Sequence, residues 1–355
     1  MDLLPTDEQD EIAGTVRSAL GAAFPMAERD RFDRTGPDGT MTAVDDPVVD
    51  DATWAGFGEL GWFSLGLAEA HGGVGYGLAE EVLLAEELGR QAAPGPFVAQ
   101  ILAARLAAAA HLDDAPALAA GGVRAAWGEP APAGNGSQPA TVGDRTSGEF
   151  LVQHPAGASW IVIAAGGSAV LVSAEDVEAM TPLASLDPPT PMHRVRARAV
   201  IPGASDTTGA STAWATTLVA AQLGGVAEAT CAMSVDYAKE RQQFGQPIGS
   251  FQAVKHRCAD MAGRAEAAIT QTRWAALSVD GGLADAGFEV AAARVVATRA
   301  AVSNAEVNVQ NHGGIGFTWE HPAHRFVTRA RLLELTGGSL ADHQALLLDA
   351  PTPAA

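Results

Sequence analysis

The sequence predicts an α+β protein in which a small β domain lies between two helical domains. Apolar residues recur at helical spacing in the first third of the chain, and short runs rich in β-branched residues follow near the middle. Four long helical stretches then occupy about the last two-fifths of the chain. The expected domains are an N-terminal helical domain at residues 1–119, a central β domain at 120–205 and a C-terminal four-helix bundle at 206–355.

The N-terminal helices are predicted from capping and periodicity. Thr6 precedes an acidic first turn, which is typical of a helix N-cap, and apolar residues then recur about every fourth position. Residues 28–50 are polar and contain Gly and Pro, so they predict a loop. Three further helices are predicted at 54–67, 78–91 and 96–111.

The central and C-terminal parts differ in the length of their apolar segments. Runs at 160–165, 169–172 and 195–201 have the length and the β-branched content of strands. From about Ser211 the pattern is helical, with four long stretches and a shorter one that begins at Ser339. Long helices joined by short connections predict an antiparallel bundle. The four stretches are 218–241, 251–279, 288–311 and 321–335.

Composition narrows the class of partner. The 355-residue chain is 47% hydrophobic and has a formal net charge of −20, which argues against nucleic acid or an anionic membrane as a partner. We find no apolar run of about 20 residues, the length of a membrane span, and the acidic N-terminus does not have a signal-peptide layout. Cys231 and Cys258 lack metal or redox spacing and predict small core residues in a reduced compartment. We therefore expect a cytoplasmic protein.

Three segments carry a family resemblance. The strongest runs from Tyr237 to Met261 and reads YAKERQQFGQPIGSFQAVKHRCADM. The second, from Gln310 to Arg325, reads QNHGGIGFTWEHPAHR, and a weaker N-terminal segment reads LGWFSLGLAEAHGGVGYG. In the same order, these segments resemble motifs of the acyl-CoA dehydrogenases, flavin enzymes that introduce a double bond next to a thioester carbonyl. The resemblance implies that fold, an FAD cofactor, an acyl-CoA substrate and an electron-transfer flavoprotein or another electron acceptor.

A flavin-binding surface is implied by the first two segments. Arg241 has a planar donor fork suited to pyrophosphate oxygens, and Phe244 offers an apolar face to a ring. Taken singly, Arg241 could equally complement a helix dipole, and a glycine pair could simply end a helix. The resemblance implies that these positions hold the adenosine and pyrophosphate end of an FAD that is seated mainly in the neighbouring subunit. The candidate cofactor-binding residues are Arg241, Phe244, Gln252, Gln310, Gly313 and Gly314.

The positions that hold the catalytic base in this family carry no carboxylate here. Alignment of the last long helix places Gly337 at the usual glutamate, and counting back from Arg241 places Ala215 at the alternative base position. Neither side chain accepts a proton, so we assign no catalytic residue. Glu334 lies one turn earlier and is a weak candidate, because one turn displaces a carboxylate by about 5 Å.

The flavin-ring pocket of this chain also departs from the family pattern. The nearest match to the family's Thr-Glu-Pro-x-x-Gly-Ser motif is WGEPAPAGNGS at 127–137, in which Gly128 replaces the hydroxyl residue. No metal site is predicted, because His312, His321 and His324 lack support from Cys or carboxylate ligands.

The hypothesis that these observations favour is a non-catalytic subunit. The implied surface for a neighbour's flavin is nearly intact, whereas the base positions are vacated. This asymmetry resembles the shorter, base-less subunit of actinobacterial heteromeric (α2β2) acyl-CoA dehydrogenases. It implies a longer catalytic partner chain and a bulky substrate such as a steroid side-chain CoA thioester. Two alternatives remain: a stand-alone dehydrogenase that uses Glu334, and a non-enzymatic scaffold or CoA-thioester binding protein.

Overall fold

The chain divides into two compact units, each of which is described by itself. The computed structural model describes residues 5–26, 28, 46–132 and 140–349. The first unit comprises Met1–Ala27, Val82–Ala93 and Thr216–Ala355, and the second comprises Glu28–Glu81 and Pro94–Ala215. Along the chain, helical, β and helical segments follow one another, which confirms the predicted fold class. The boundaries of the three predicted domains stay a prediction.

The second unit contains a seven-stranded sheet. Its strands are β1 (Arg124–Pro130), β2 (Thr146–Gln153), β3 (Ala158–Ala165), β4 (Ser168–Ser173), β5 (Ala179–Leu183), β6 (Met192–Val200) and β7 (Ala204–Asp206). They are ordered β5-β6-β2-β1-β3-β4-β7, with β1 and β3 parallel and the other neighbours antiparallel. In register, Ala126 lies beside Ile161 and Phe150 beside Val195, so one face of the sheet is apolar and buried.

Helices complete the second unit. They are α2 (Asp51–Glu59), α4 (Phe97–Ala109) and α5 (Ala115–Ala119), and α4 packs against β1, β3, β4 and β7. The predicted helix at 54–67 was wrong in its second half. Gly61 adopts a φ of +78°, which is outside the helical region, and residues 60–67 form turns instead. Of the predicted loop at 28–50, residues 29–45 lie outside the described residues.

The first unit is helical. It is built on α1 (Asp7–Ala23), most of α3 (Leu78–Arg90), most of α6 (Ala210–Glu240), α7 (Gln252–Asp280), α8 (Ala286–His312), α9 (Ala323–Leu335) and α10 (Leu340–Asp349). Two glycines let α3 and α6 approach backbone to backbone. A Cβ added at Gly225 would lie 2.0 Å from Glu86 O, and one at Gly89 would lie 1.9 Å from Gln222 O.

Helix α6 is long and apolar enough to cross a membrane by length and composition, with a mean hydropathy of 1.4 in its best 18-residue window. However, 78% of that window is buried inside the protein, so its composition is that of a core helix. An ion pair between Arg273 and Glu86 (2.8 Å) links α7 to α3, and Arg17 pairs with Glu87 (2.7 Å) to fix α1.

Candidate functional site

The turn after α6 presents two of the predicted binding residues to solvent. The chain leaves α6 at Arg241 and forms a short hairpin of β8 (Gln242–Gln243) and β9 (Gln246–Pro247). Its central residues, Phe244 and Gly245, have φ values of +53° and +77°, as a two-residue hairpin turn of this kind requires. Phe244 is consequently 92% exposed, and Arg241 is also exposed. A bulky residue with positive φ is strained by about 1–3 kcal/mol, and such strain clusters at binding sites.

The start of α7 adds Gln252 to this surface. Ile248 N–H donates to Arg241 O (2.8 Å), which closes the hairpin loop onto the end of α6. Gln252 is the first residue of α7 and is exposed. The ring of Phe251, directly before it, meets the ring of Phe244 edge-on, with centroids 6.1 Å apart. Arg241, Phe244 and Gln252 therefore belong to one small exposed surface.

The end of α8 supplies the other three predicted residues. Gln310 is exposed in the last turn of α8, and Gly313 breaks the helix with φ +62° and ψ −138°. A Cβ added at Gly313 or Gly314 would have nothing within 4 Å, so these two backbone units face open space. Gly316 differs, because a Cβ there would lie 2.5 Å from Val309 O. The loop is thus held by one tight glycine and leaves two glycines accessible to a ligand.

A column of three rings, called the ring stack below, joins the two loops, and neighbouring rings in it are tilted by 31° and 41°. The Tyr237 and His312 rings have centroids 4.4 Å apart, and the His312 and His321 rings have centroids 4.1 Å apart. Tyr237 accepts the Arg241 N–H at its carbonyl (2.8 Å), and His312 directly precedes Gly313. This stack was missed in the sequence, where the histidines were considered as metal ligands. The available signal was the position of His312 immediately before the glycine pair.

Large apolar side chains are exposed next to the glycine pair. Ile315 is 43% exposed, Phe317 75% and Trp319 69%. Together with Phe244 they are unusual for a protein surface, where contiguous apolar side chains mark an interaction site. The surface that carries the predicted flavin contacts is therefore suited to being covered by another molecule.

The predicted base position is a glycine in the left-handed region. Gly337 and Gly338, which follow α9, have φ values of +76° and +108°. A residue with a side chain is strained there, so the backbone disfavours a glutamate at this position. The buried Arg294 guanidinium donates to the carbonyls of Leu333 (2.5 Å) and Thr336 (2.8 Å) and fixes the end of α9.

A buried imidazole faces the same turn. His343 is 4% exposed, and a Cβ added at Gly338 would lie 3.3 Å from His343 Nε2. Burial, followed by the nearby Arg294 guanidinium, lowers the pKa of His343 to about 4. The imidazole is therefore neutral near pH 7 and enclosed by the protein.

The weak candidate base is held in an ion pair. Glu334 accepts a hydrogen bond from Arg331 (2.9 Å), and Arg331 also bridges to Glu306 (2.5 Å). The alternative base position, Ala215, is 3% exposed and lies in the second unit. Its neighbour Trp214 donates its indole N–H to the buried Glu81 (2.5 Å), which also accepts the Gly66 N–H (2.9 Å). These contacts give both nearby carboxylates structural roles.

Apolar side chains pack closely against the strand that carries the altered flavin-ring motif. A Cβ added at Gly128 would lie 3.0 Å from Ile163 Cγ1 and 3.1 Å from Ile161 Cγ2. The hydroxyl residue of the family motif would therefore be crowded here. Glu129 accepts the Trp127 indole N–H (2.7 Å), and residues 133–137 of the motif lie outside the described residues. Within the part of the chain that the structure describes, no three His, Cys, Asp or Glu side chains meet as metal ligands.

Comparison with known proteins assigns the family. Residues 6–111 match the N-terminal domain of acyl-CoA dehydrogenase, and 207–347 match its C-terminal domain. The chain is 31% identical to the acyl-CoA dehydrogenase IpdE2 of Mycobacterium tuberculosis, over 92% of each chain. It is 34% identical to FadE34 of the same organism over 92% of its own length, but spans only 45% of FadE34. The chain belongs to the acyl-CoA dehydrogenase family.

A solved structure supports the same fold. A variant of the Tcur3481–Tcur3483 steroid ACAD superposes with a TM-score of 0.79 at 24% identity and covers 97% of both chains. Acyl-CoA dehydrogenases use FAD, which supplies hydride-accepting chemistry when bound. The first unit fits part of this cofactor: an exposed guanidinium for pyrophosphate, an exposed ring, and two glycines with free space at their Cβ positions. Arg241, Phe244, Gln252, Gln310, Gly313 and Gly314 would hold it.

Proposed function

We propose that this chain is the non-catalytic subunit of a heteromeric FAD-dependent acyl-CoA dehydrogenase, and that it contributes flavin contacts to a longer catalytic chain. The observation that carries the proposal is the contrast between two places in the first unit. The predicted flavin-contact residues are exposed and open, whereas the usual base position is the left-handed Gly337. Proton removal from the substrate then depends on a carboxylate of the partner chain.

The substrate that we propose is a bulky CoA thioester, such as that of a steroid side chain. Support comes from the Tcur3481–Tcur3483 steroid ACAD, which shares the fold and whose name joins two proteins. The match over 92% of both chains with the mycobacterial acyl-CoA dehydrogenase IpdE2 supports an acyl-CoA thioester as the substrate class. The chain's own residues would bind and orient the cofactor and would exclude water from its adenosine end.

The experiment compares the purified chain alone with the chain co-purified with a longer acyl-CoA dehydrogenase encoded beside it. Bound flavin is measured by absorbance, and oxidation of a steroid-CoA and of butyryl-CoA by dye reduction. Bound flavin and activity that are found only in the co-purified mixture support the proposal. A yellow, active preparation of this chain by itself would instead favour the stand-alone dehydrogenase. Flavin in neither preparation would favour the scaffold.

Arg241→Ala tests the flavin contacts directly. One charge-assisted hydrogen bond is worth about 1.5–3 kcal/mol, so the variant complex should bind flavin roughly 10- to 150-fold more weakly. Arg299→Ala is the matched control. It removes another exposed arginine of the same unit, which lies fourteen residues before Gly313 on α8, about 21 Å along the helix. Equal flavin content in both variants would contradict the assigned role of Arg241.

A further inference from the structure

The ring stack of Tyr237, His312 and His321 lies at the junction of the two loops that make up the proposed flavin surface. The three rings come from α6, from the end of α8 and from the segment before α9, with centroid spacings of 4.4 and 4.1 Å. These spacings are those of packed aromatic rings. Each ring is also close in sequence to one of the two loops. A change in the packing of the rings would therefore alter the position of both loops.

Backbone contacts connect the stack to the flavin-contact residues. Tyr237 O accepts the Arg241 N–H (2.8 Å), so the ring of Tyr237 and the backbone of Arg241 share one helical turn. His312 is the last residue of α8 and is followed by Gly313 and Gly314. The contact between the Tyr237 and His312 rings therefore sets the spacing between the Arg241 side of the surface and its glycine side.

The hydrogen bonds place a hydrogen on Nδ1 of His312 and define a neutral ring for His321. His312 Nδ1 lies 2.8 Å from Asn308 O, so this nitrogen carries the hydrogen and donates it. Asn308 is itself buried and accepts from Ser234 Oγ (2.8 Å). His321 Nδ1 accepts the Ala323 N–H (3.2 Å), so its single hydrogen lies on Nε2. A second proton on His321 would fall on Nδ1 and break the contact with Ala323.

The groups around the imidazoles disfavour protonation. The titratable groups that face them are Tyr237 from α6, the two imidazoles themselves, and His324 from α9, whose Nδ1 lies 2.8 Å from His321 O. Burial lowers the pKa of His312. Burial, then His312 and then His324 lower the pKa of His321. Protonation of both rings would place two cations about one ring spacing apart in a partly dehydrated site.

We propose that Tyr237, His312 and His321 are positioning residues that keep Arg241 and the Gly313–Gly314 pair at the spacing the flavin needs, and that protonation of the two neighbouring imidazoles in mild acid releases the cofactor. This inference rests on the proposed function, because it concerns the flavin that the surface holds. As the pH falls below the ordinary histidine value of about 6.5, flavin affinity decreases by up to about tenfold per pH unit for each linked proton.

The first test uses the complex with its partner and measures flavin retention from about pH 8 to pH 5. Wild type should lose flavin in the acidic half of this range. The double variant His312→Phe/His321→Phe keeps two rings that cannot be protonated and should retain flavin throughout. His71→Phe, which replaces an exposed histidine of the second unit, should follow wild type. A double variant with the wild-type pH profile, or a wild type without pH dependence, overturns the proposal.

The second test uses this chain by itself and needs no flavin. In NMR spectra, the amide signals of Gly313 and Gly314 should shift with a midpoint below about pH 6.5, together with the ring signals of His312 and His321. Tyr237→Ala should shift the same amide signals at neutral pH, since it removes one ring without removing an imidazole. If the amide signals of the two glycines do not shift as the histidines titrate, the proposal is overturned. If this chain binds flavin without a partner, flavin retention is measured against pH on the isolated chain. Failure of the proposed heteromeric function is thereby distinguished from failure of the proposed role of the three rings.

Discussion

Replacement of Glu334 by glutamine separates a structural carboxylate from a catalytic one. In the structure, Glu334 accepts a hydrogen bond from Arg331 at 2.9 Å, and the side chains are 23% and 41% exposed. A partly exposed ion pair of this kind contributes about 0.2–1 kcal/mol to stability. A general base contributes much more to rate, about 10²- to 10⁴-fold. The two roles therefore predict effects of different size on different quantities.

We expect Glu334→Gln to lower the free energy of unfolding by less than about 1 kcal/mol and to change the rate of acyl-CoA oxidation by less than about twofold. Stability is measured by urea unfolding, and the rate by dye reduction, both for the chain alone and for the complex with its partner. Glu306→Gln is the matched control, because Glu306 is the other carboxylate bonded to Arg331. A chain that is active alone and that loses 100-fold or more in rate with Glu334→Gln, but not with Glu306→Gln, would refute this reasoning.

Three further predictions concern stability. Gly337→Ala should lower the unfolding free energy, measured by urea titration, by about 1 kcal/mol, because Gly337 has a φ of +76°. In the same assay, Gly263→Ala should raise the unfolding free energy by about 0.5–1 kcal/mol, because Gly263 lies at an exposed helical position with free space. Arg273→Met should cost about 3–5 kcal/mol in chemical denaturation, since it leaves Glu86, whose pKa burial already raises, without its ion-pair partner. Burial raises the pKa of Asp206, but hydrogen bonds at the start of α6 outweigh burial and lower it to about 2, below the ordinary 3.8. Asp206→Ala should therefore cost about 1 kcal/mol at neutral pH, and calorimetry should show this difference from wild type vanish as the pH falls through 3.8 towards 2.

The parts of the fold that local patterns determine were predictable. The long helices α7 and α8 begin and end within two residues of the predicted stretches, because their limits coincide with turn residues. Strands β1, β2, β5 and β7 were missed. The residues of β1, RAAWGEP, include Ala, Gly and Pro, which have low strand propensity, and the strand depends on its pairing with β2 and β3. Pairing partners that lie far apart in sequence are not visible in a local pattern.

The candidate site shows the same division. Arg241 and Phe244 were predicted from a contiguous motif, and the structure adds that Phe244 lies in a hairpin turn with positive φ and is 92% exposed. The contact between Tyr237 and His312 could not be predicted, since 75 residues separate them and no motif links the two positions. Similarly, nothing in the sequence around Arg294 indicates that its guanidinium closes the end of α9.

At Gly337, the predicted base position, the backbone conformation is informative as well as the side chain. Gly337 and Gly338 both have positive φ, and the buried Arg294 donates to the carbonyls that lead into this turn. A carboxylate introduced at this position would carry the left-handed strain of about 1 kcal/mol that is expected for Gly337→Ala. The backbone itself, and not only the side chain, therefore supports the view that proton removal depends on another chain, while the exposed surface of Arg241 and Gly313 remains available to hold the cofactor.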